Sequence, residues 1–158
     1  MSHADVPMTA PNLGAAGGLR IDTYQAFDYP SPAPRVFAAL TEGISMWWSQ
    51  KIHPEARSVL EPRPGGVWLQ TWSNGGAFFG TIIHVEVPYR IRIQGPLAMT
   101  VPADNMVEWQ LEPLPNGGTR LHVTHRAWGL FDQATADGYE AGWSDTFGSA
   151  LANHLARG

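Results

Sequence analysis

"NMVEWQLEPLPNGGTRLHVTHRAW", Asn105 to Trp128, is the stretch whose reading decides the fold. Apolar and polar residues alternate on both sides of a central turn signal. Val107, Trp109 and Leu111 point one way; Glu108, Gln110 and Glu112 point the other. After Asn116-Gly117-Gly118 the alternation resumes. Leu121, Val123 and His125 share one face, and Arg120, His122, Thr124 and Arg126 share the opposite one. A period of two residues belongs to a β-strand, and Asn-Gly between two such runs reads as a hairpin turn. One apolar and one polar face mark an antiparallel sheet with one side in water.

Working outward toward the N-terminus, the period of two persists. "VWLQTW" is a strand with Trp68 and Trp72 on one face. "SNGG" is a second hairpin turn, in which Asn-Gly readily takes positive φ, and "AFFGTIIHVEV" is its partner. "RIRIQG" follows the turn "VPYR", "PLAMTVPAD" is loop-like, and "SVLEP" is a short strand before the turn "RPGG". The first strand is "LRIDTYQAFDYP", with Ile21, Thr23 and Gln25 on one face and Asp22, Tyr24 and Ala26 on the other. A helix start follows at "SPAPRVFAAL". Ser31 is placed to cap it, and Pro32 to sit where a missing N–H costs nothing. Val36, Phe37 and Leu40 make its apolar face, Gly43 ends it, and "ISMWWSQ" (Ile44 to Gln50) reads as a second short helix or a turn.

Toward the C-terminus the period changes. Tyr139, Trp143, Phe147, Ala150, Leu151, His154 and Leu155 recur every three or four residues. The spacing predicts one amphipathic helix from Gln133 to Ala156, capped by Asp132. Gly142 interrupts it, a place where something could approach the helix closely. The order is strand, two short helices, about six antiparallel strands and one long helix, an α+β arrangement. A curved sheet wrapped around a long helix leaves space between them.

Composition bounds the rest. A chain of 158 residues is one ordinary domain, placed here at residues 19–158 after a Pro-, Gly- and Ala-containing leader over residues 1–18. There is no cysteine, so disulfides and thiolate chemistry are excluded. The formal net charge is −4 with no Lys or Arg run, which argues against a nucleic-acid partner. No apolar run reaches the ~20 residues of a membrane span. The N-terminus lacks the pattern of a signal peptide, and a cytoplasmic location is expected.

The pieces "SPAPRVFAALTE", "WW", "PGGVW", "GTIIHVEVPYRI", "VEWQLEPLPNGGTRLHVTH" and "GYEAGWSDTFGSAL" occur in an order that resembles the START-like (SRPBCC) superfamily. Within it, the chain is most similar to Hsp90-ATPase-activator-like (AHSA1-type) domains. The resemblance spans about Ile21 to Leu155. It implies a helix-grip fold with a deep, mostly apolar cavity between sheet and long helix, occupied in relatives by lipids, polyketides, hormones and other apolar molecules. A few relatives are cyclases or hydrolases, and the eukaryotic namesake stimulates the Hsp90 ATPase.

The candidate ligand-binding residues come from the two faces that meet across such a cavity. The sheet and its cover offer Trp48, Trp68, Trp72, Val107, Trp109, Leu121, Val123 and His125. The helix offers Tyr139, Trp143, Thr146 and Phe147. Each could instead fill a core. His125 stands at an apolar position of its strand, so it is either a paired core histidine or a group able to bond a ligand or move a proton, with Tyr139 as a polar helper. His122 and His125 fall on opposite faces and no Asp or Glu cluster joins them, so no metal and no cofactor are expected. Glu108 and Asp104 belong to a polar face rather than to a carboxylate pair. The Gly-Gly pairs precede no helix carrying a Lys, and are turns. The leading expectation is a binding protein for a small apolar or aromatic molecule. A cyclase- or hydrolase-like enzyme and a chaperone-regulating domain are the alternatives, and a homodimer is compatible with all three.

Overall fold

In the hairpin of residues 105–128, Val107, Trp109 and Leu111 lie opposite His125, Val123 and Leu121, and all six are buried. Gly117 takes φ +88° at its turn, a region open mainly to glycine. The Asn116 side chain accepts the Gly118 N–H at 2.8 Å and closes the loop.

The computed structural model describes residues 20–158. The leader expected over residues 1–18 lies outside the described residues. The elements run β1 (Arg20–Tyr29), α1 (Ala33–Leu40), a 3-10 turn (Ile44–Met46), β2 (Arg57–Leu60), β3 (Val67–Trp72), β4 (Gly75–Glu86), β5 (Arg90–Gly95), β6 (Ala103–Pro113) and β7 (Thr119–Gly129). The chain then closes with α2 (Gln133–Asp145), a π-helical segment (Thr146–Ala150) and α3 (Leu151–Ala156). All seven strands form one antiparallel sheet in the order β1-β7-β6-β5-β4-β3-β2. From β2 to β7 each strand pairs with the next in sequence, and β1 closes onto β7.

Three local expectations are corrected. Ser31 does not cap α1: Pro32 holds the N-cap position without a side-chain bond, and the Ser31 hydroxyl instead accepts from Arg35 Nη1 at 3.0 Å. The β3–β4 turn is Ser73-Asn74, with Gly75 already paired to Trp72, and neither Asn74 nor Gly75 takes positive φ. A Cβ at Gly75 would fall 2.9 Å from Trp72 Nε1, so the Trp72 ring lies directly over this glycine and would have to shift to admit a side chain. The last helix is continuous in direction but not in type. Trp143, Phe147, Leu151 and Leu155 repeat every four residues, and such a stripe drifts around a helix of about 3.6 residues per turn. The wider π turn at 146–150 holds that drift back, and all four side chains stay buried against the sheet.

The centre between sheet and helix is filled. Trp48, Trp68, Trp109 and Phe147 pack on one another with ring centroids 5.1–6.2 Å apart wherever they touch. Phe147 also stacks on Trp143 at 5.8 Å. Edge-on and offset aromatic packing of this kind adds to plain burial. The expected deep cavity is therefore closed in its middle, and what space remains lies toward α2.

Candidate functional site

A cavity of about 310 Å3 opens between α2, the segment after the 3-10 turn and the β5–β6 loop. Its floor is Trp48, Trp68, Trp143 and Thr146, all buried. Phe79 and Leu97 form its walls, and Gln50, Ile52, Thr135, Gly138, Tyr139 and Gly142 its more open part. No Asp, Glu, Lys, Arg or His lines it.

The two adjacent tryptophans divide their work. Trp47 donates its ring N–H to the Ala39 carbonyl at 2.7 Å and fastens the 3-10 turn to α1. Trp48 turns to the floor, edge-on to Trp68 at 5.1 Å. The chain beyond them is held by Gln70, which is fully buried in β3. Its amide nitrogen donates to the Gln50 carbonyl at 2.9 Å, and its oxygen accepts the Ile52 N–H, also at 2.9 Å. A buried amide with both ends satisfied is a rigid clip for a loop otherwise free of secondary structure.

On the far side, Tyr139 donates its hydroxyl to the Leu97 carbonyl at 2.6 Å. This ties α2 to a loop in which Leu97 and Ala98 have φ of 49° and 61°. Left-handed backbone costs a non-glycine residue about 1–2 kcal/mol. The conformation is held by Leu97 N–H donating to Phe79 O at 2.8 Å and Ala98 N–H to Phe78 O at 3.0 Å. Burial pushes the Tyr139 phenol above its ordinary pKa.

His125 lies behind this cavity rather than on its surface. Its ring is fully buried. Trp143 Nε1 donates to its Nδ1 at 3.1 Å, and its Nε2 is 2.7 Å from Asn105 Oδ1. An indole nitrogen can only donate, so Nδ1 is the acceptor and Nε2 carries the proton. Burial pushes the ring's pKa down to about 4, which keeps it neutral. General acid–base work on a bound molecule would need a free nitrogen at the cavity, and here both are engaged by protein.

Of the residues singled out in the sequence, Trp48, Trp68, Tyr139, Trp143 and Thr146 line the cavity. Val107, Trp109, Leu121, Val123, His125 and Phe147 lie in the buried layer behind it, essentially without exposed surface. Trp72 shares the face of Trp68, but at the end of its strand it stacks on His53 at 5.0 Å, away from the cavity. Gln50, Ile52, Phe79, Leu97, Thr135 and Gly138 also line the cavity and are missed by the sequence reading, as is Gln70, which clips the 50–52 segment from behind. The alternation of β3 places Gln70 inward beside Trp68, which is the one signal able to find it. On the outer face, Glu108 is held by Arg90 at 3.3 Å and Arg92 at 3.2 Å, while Asp104 accepts from Gln94. The two carboxylates do not form a pair.

Several polar atoms in and behind the floor have no partner. Trp48 Nε1, Trp68 Nε1, Trp109 Nε1 and Thr146 Oγ1 are buried without a hydrogen bond. Among the described residues, no group of three or more metal-ligating side chains is assembled, and no helix is long and apolar enough to cross a membrane.

Residues 30–156 match the family model described as "Activator of Hsp90 ATPase homolog 1-like protein". No curated protein matches the sequence. Among solved structures, an uncharacterized protein from Rhizobium leguminosarum is 20% identical with a TM-score of 0.65, covering 88% of this chain and 99% of its own. Protein Mll3558 from Rhizobium loti is 22% identical with a TM-score of 0.65, over 85% of this chain and 96% of its own. PFC0360w, an HSP90 activator from Plasmodium falciparum, is 14% identical with a TM-score of 0.65, over 86% and 96%. At these identities the likeness is one of fold.

Proposed function

The chain belongs to the Activator of Hsp90 ATPase homolog 1-like family, and from that premise we propose that it binds one small, neutral, apolar or aromatic molecule in the cavity beside α2. The observation that carries this reading is a cavity of about 310 Å3 lined by aromatic, aliphatic and uncharged polar side chains without a single ionisable acid or base other than the Tyr139 phenol. Small-molecule sites are mostly apolar clefts of roughly 300–1,000 Å3 with a few placed polar groups. The ligand would enter past Gln50, Ile52 and Gly138 and rest against the floor of tryptophans. This reading keeps the cytoplasmic location and allows a homodimer.

A thermal-shift screen of apolar and aromatic compounds tests it. A binder stabilises the native state in proportion to its saturation, so the melting temperature should climb with concentration for a set of neutral aromatic compounds. A flat response across the whole library would defeat the proposal.

A second reading comes from the family's description and the Plasmodium neighbour: regulation of a chaperone ATPase. Ile52, 54% exposed, lines the open part of the cavity, and Met46, 75% exposed, stands two residues before Trp48. An Hsp90 ATPase assay with added protein distinguishes the two, since stimulation without any small molecule supports the second.

A further inference from the structure

The helix wall of the cavity narrows the kind of ligand it can hold, an inference that rests on the binding reading. Gly138, Gly142 and Thr146 succeed one another at four-residue spacing along the last helix, and all three line the cavity. Neither glycine is demanded by the protein itself. Neither has positive φ, and a Cβ built on either would meet no atom within 4 Å. Gly148 differs, since a Cβ there would touch the Phe27 ring at 3.5 Å. Glycine is among the poorest helix formers, and alanine the best. Two glycines one turn apart, with unused space beside them, leave a strip of bare helix backbone along the cavity.

A second observation lies at the foot of that strip. Thr146 has no exposed surface, and its hydroxyl has no partner. Trp48 and Trp68 line the same floor and also carry unpartnered ring N–H groups. Buried polar groups are normally paired. Indole nitrogens only donate, so the partner the two tryptophans lack is an acceptor, and the Thr146 hydroxyl can donate to one as well. The lining holds no charge to offset that of an ionised ligand.

We propose that the Gly138–Gly142 strip seats one flat face of a neutral aromatic molecule whose acceptor oxygen reaches the Thr146 hydroxyl, and that the two glycines set the thickness of molecule admitted. A cavity of about 150 Å3 holds benzene. One of about 310 Å3 has room for two rings.

Calorimetric titration of the full chain with four probes tests this. Coumarin is flat, neutral and bears a carbonyl; naphthalene is flat without an acceptor; decalin is not flat; 2-naphthoate is charged. Wild type should bind coumarin more tightly than naphthalene, and decalin and naphthoate about tenfold more weakly than coumarin. Gly138→Ala and Gly142→Ala should each raise the melting temperature by about 2–4 °C while weakening coumarin binding about tenfold. Thr146→Val removes the orphan hydroxyl at nearly constant shape, and should abolish the preference for coumarin over naphthalene without lowering the melting temperature. The seat is overturned if the alanine variants bind coumarin like wild type, if they melt lower, or if decalin binds as well as coumarin. The acceptor is overturned if Thr146→Val keeps the preference. If wild type binds none of the four, the binding reading itself falls; if it binds flat probes and the variants are indifferent, that reading stands and the glycine seat does not.

Discussion

The last helix is used in two ways, and the change comes at Thr146. Over α2 only Ala136 and Trp143 are buried. From Thr146 onward, Phe147, Leu151 and Leu155 are buried as well, packed into the layer shared by the sheet and α1. The first half is a wall with an open space beside it, tied to its neighbours by hydrogen bonds from Tyr139 to the Leu97 carbonyl and from Gln25 to the Glu140 carbonyl. The second half is core. One helix can be both because packing density, not helix formation, separates them. A wall can be altered with small loss of global stability, whereas a close-packed core cannot.

The largest effect should come from breaking the packed half. Phe147→Ala removes a ring that touches Phe27, Trp47, Trp48, Trp109 and Trp143. It should cost about 3–5 kcal/mol in urea unfolding; a loss under about 1 kcal/mol would mean that this half is not the core.

Next comes the border, at His125. Its folded pKa of about 4 lies below the ordinary histidine value of 6.5. The unfolded chain therefore binds the extra proton between those values. The stability contributed by the neutral ring is complete above pH 6.5 and is lost as pH falls toward 4, on the order of 3 kcal/mol in all. Protonation would also set an Nδ1–H against the Trp143 N–H, two donors facing each other. The urea midpoint of wild type should fall over this range, and that of His125→Gln should fall by less. Parallel curves would show that another group titrates.

Smaller effects should mark the open half. Gln70→Leu removes both bonds to the 50–52 segment, for about 1–2 kcal/mol, and should expose the Ile52 amide to rapid hydrogen exchange while core amides stay protected. Tyr139→Phe, the mildest change, should cost about 1 kcal/mol and loosen the loop at Leu97 and Ala98, seen as faster exchange at their amides. Uniform acceleration across the chain in either variant would erase the distinction between wall and core.

How far the sequence reveals all this depends on the range of the interactions. The hairpin at 105–128 is legible because period-two burial and Gly117's turn are local properties. So is the inward direction of His125. Its engaged nitrogens are not, because Asn105 and Trp143 come from other elements. Gln70 reads as an ordinary strand position until Gln50 and Ile52 arrive from a loop with no pattern of its own. The π segment escapes notice because a four-residue stripe looks alike in either helix type. The cavity's true lining is least legible of all. Trp68 and Trp72 share a face in the sequence, yet only Trp68 reaches the floor, while Trp72, the last residue of the strand, stacks on His53.

The crowding of Trp48, Trp68 and Trp109 has an optical consequence. Their indoles touch one another in dry surroundings, and none of their N–H groups is hydrogen-bonded. Indole emission moves to longer wavelength as its environment becomes polar, and rings this close exchange excitation. The protein thus carries a built-in reporter at the floor of its cavity: blue-shifted when dry, and altered in colour or intensity by whatever molecule, water included, arrives beside Trp48.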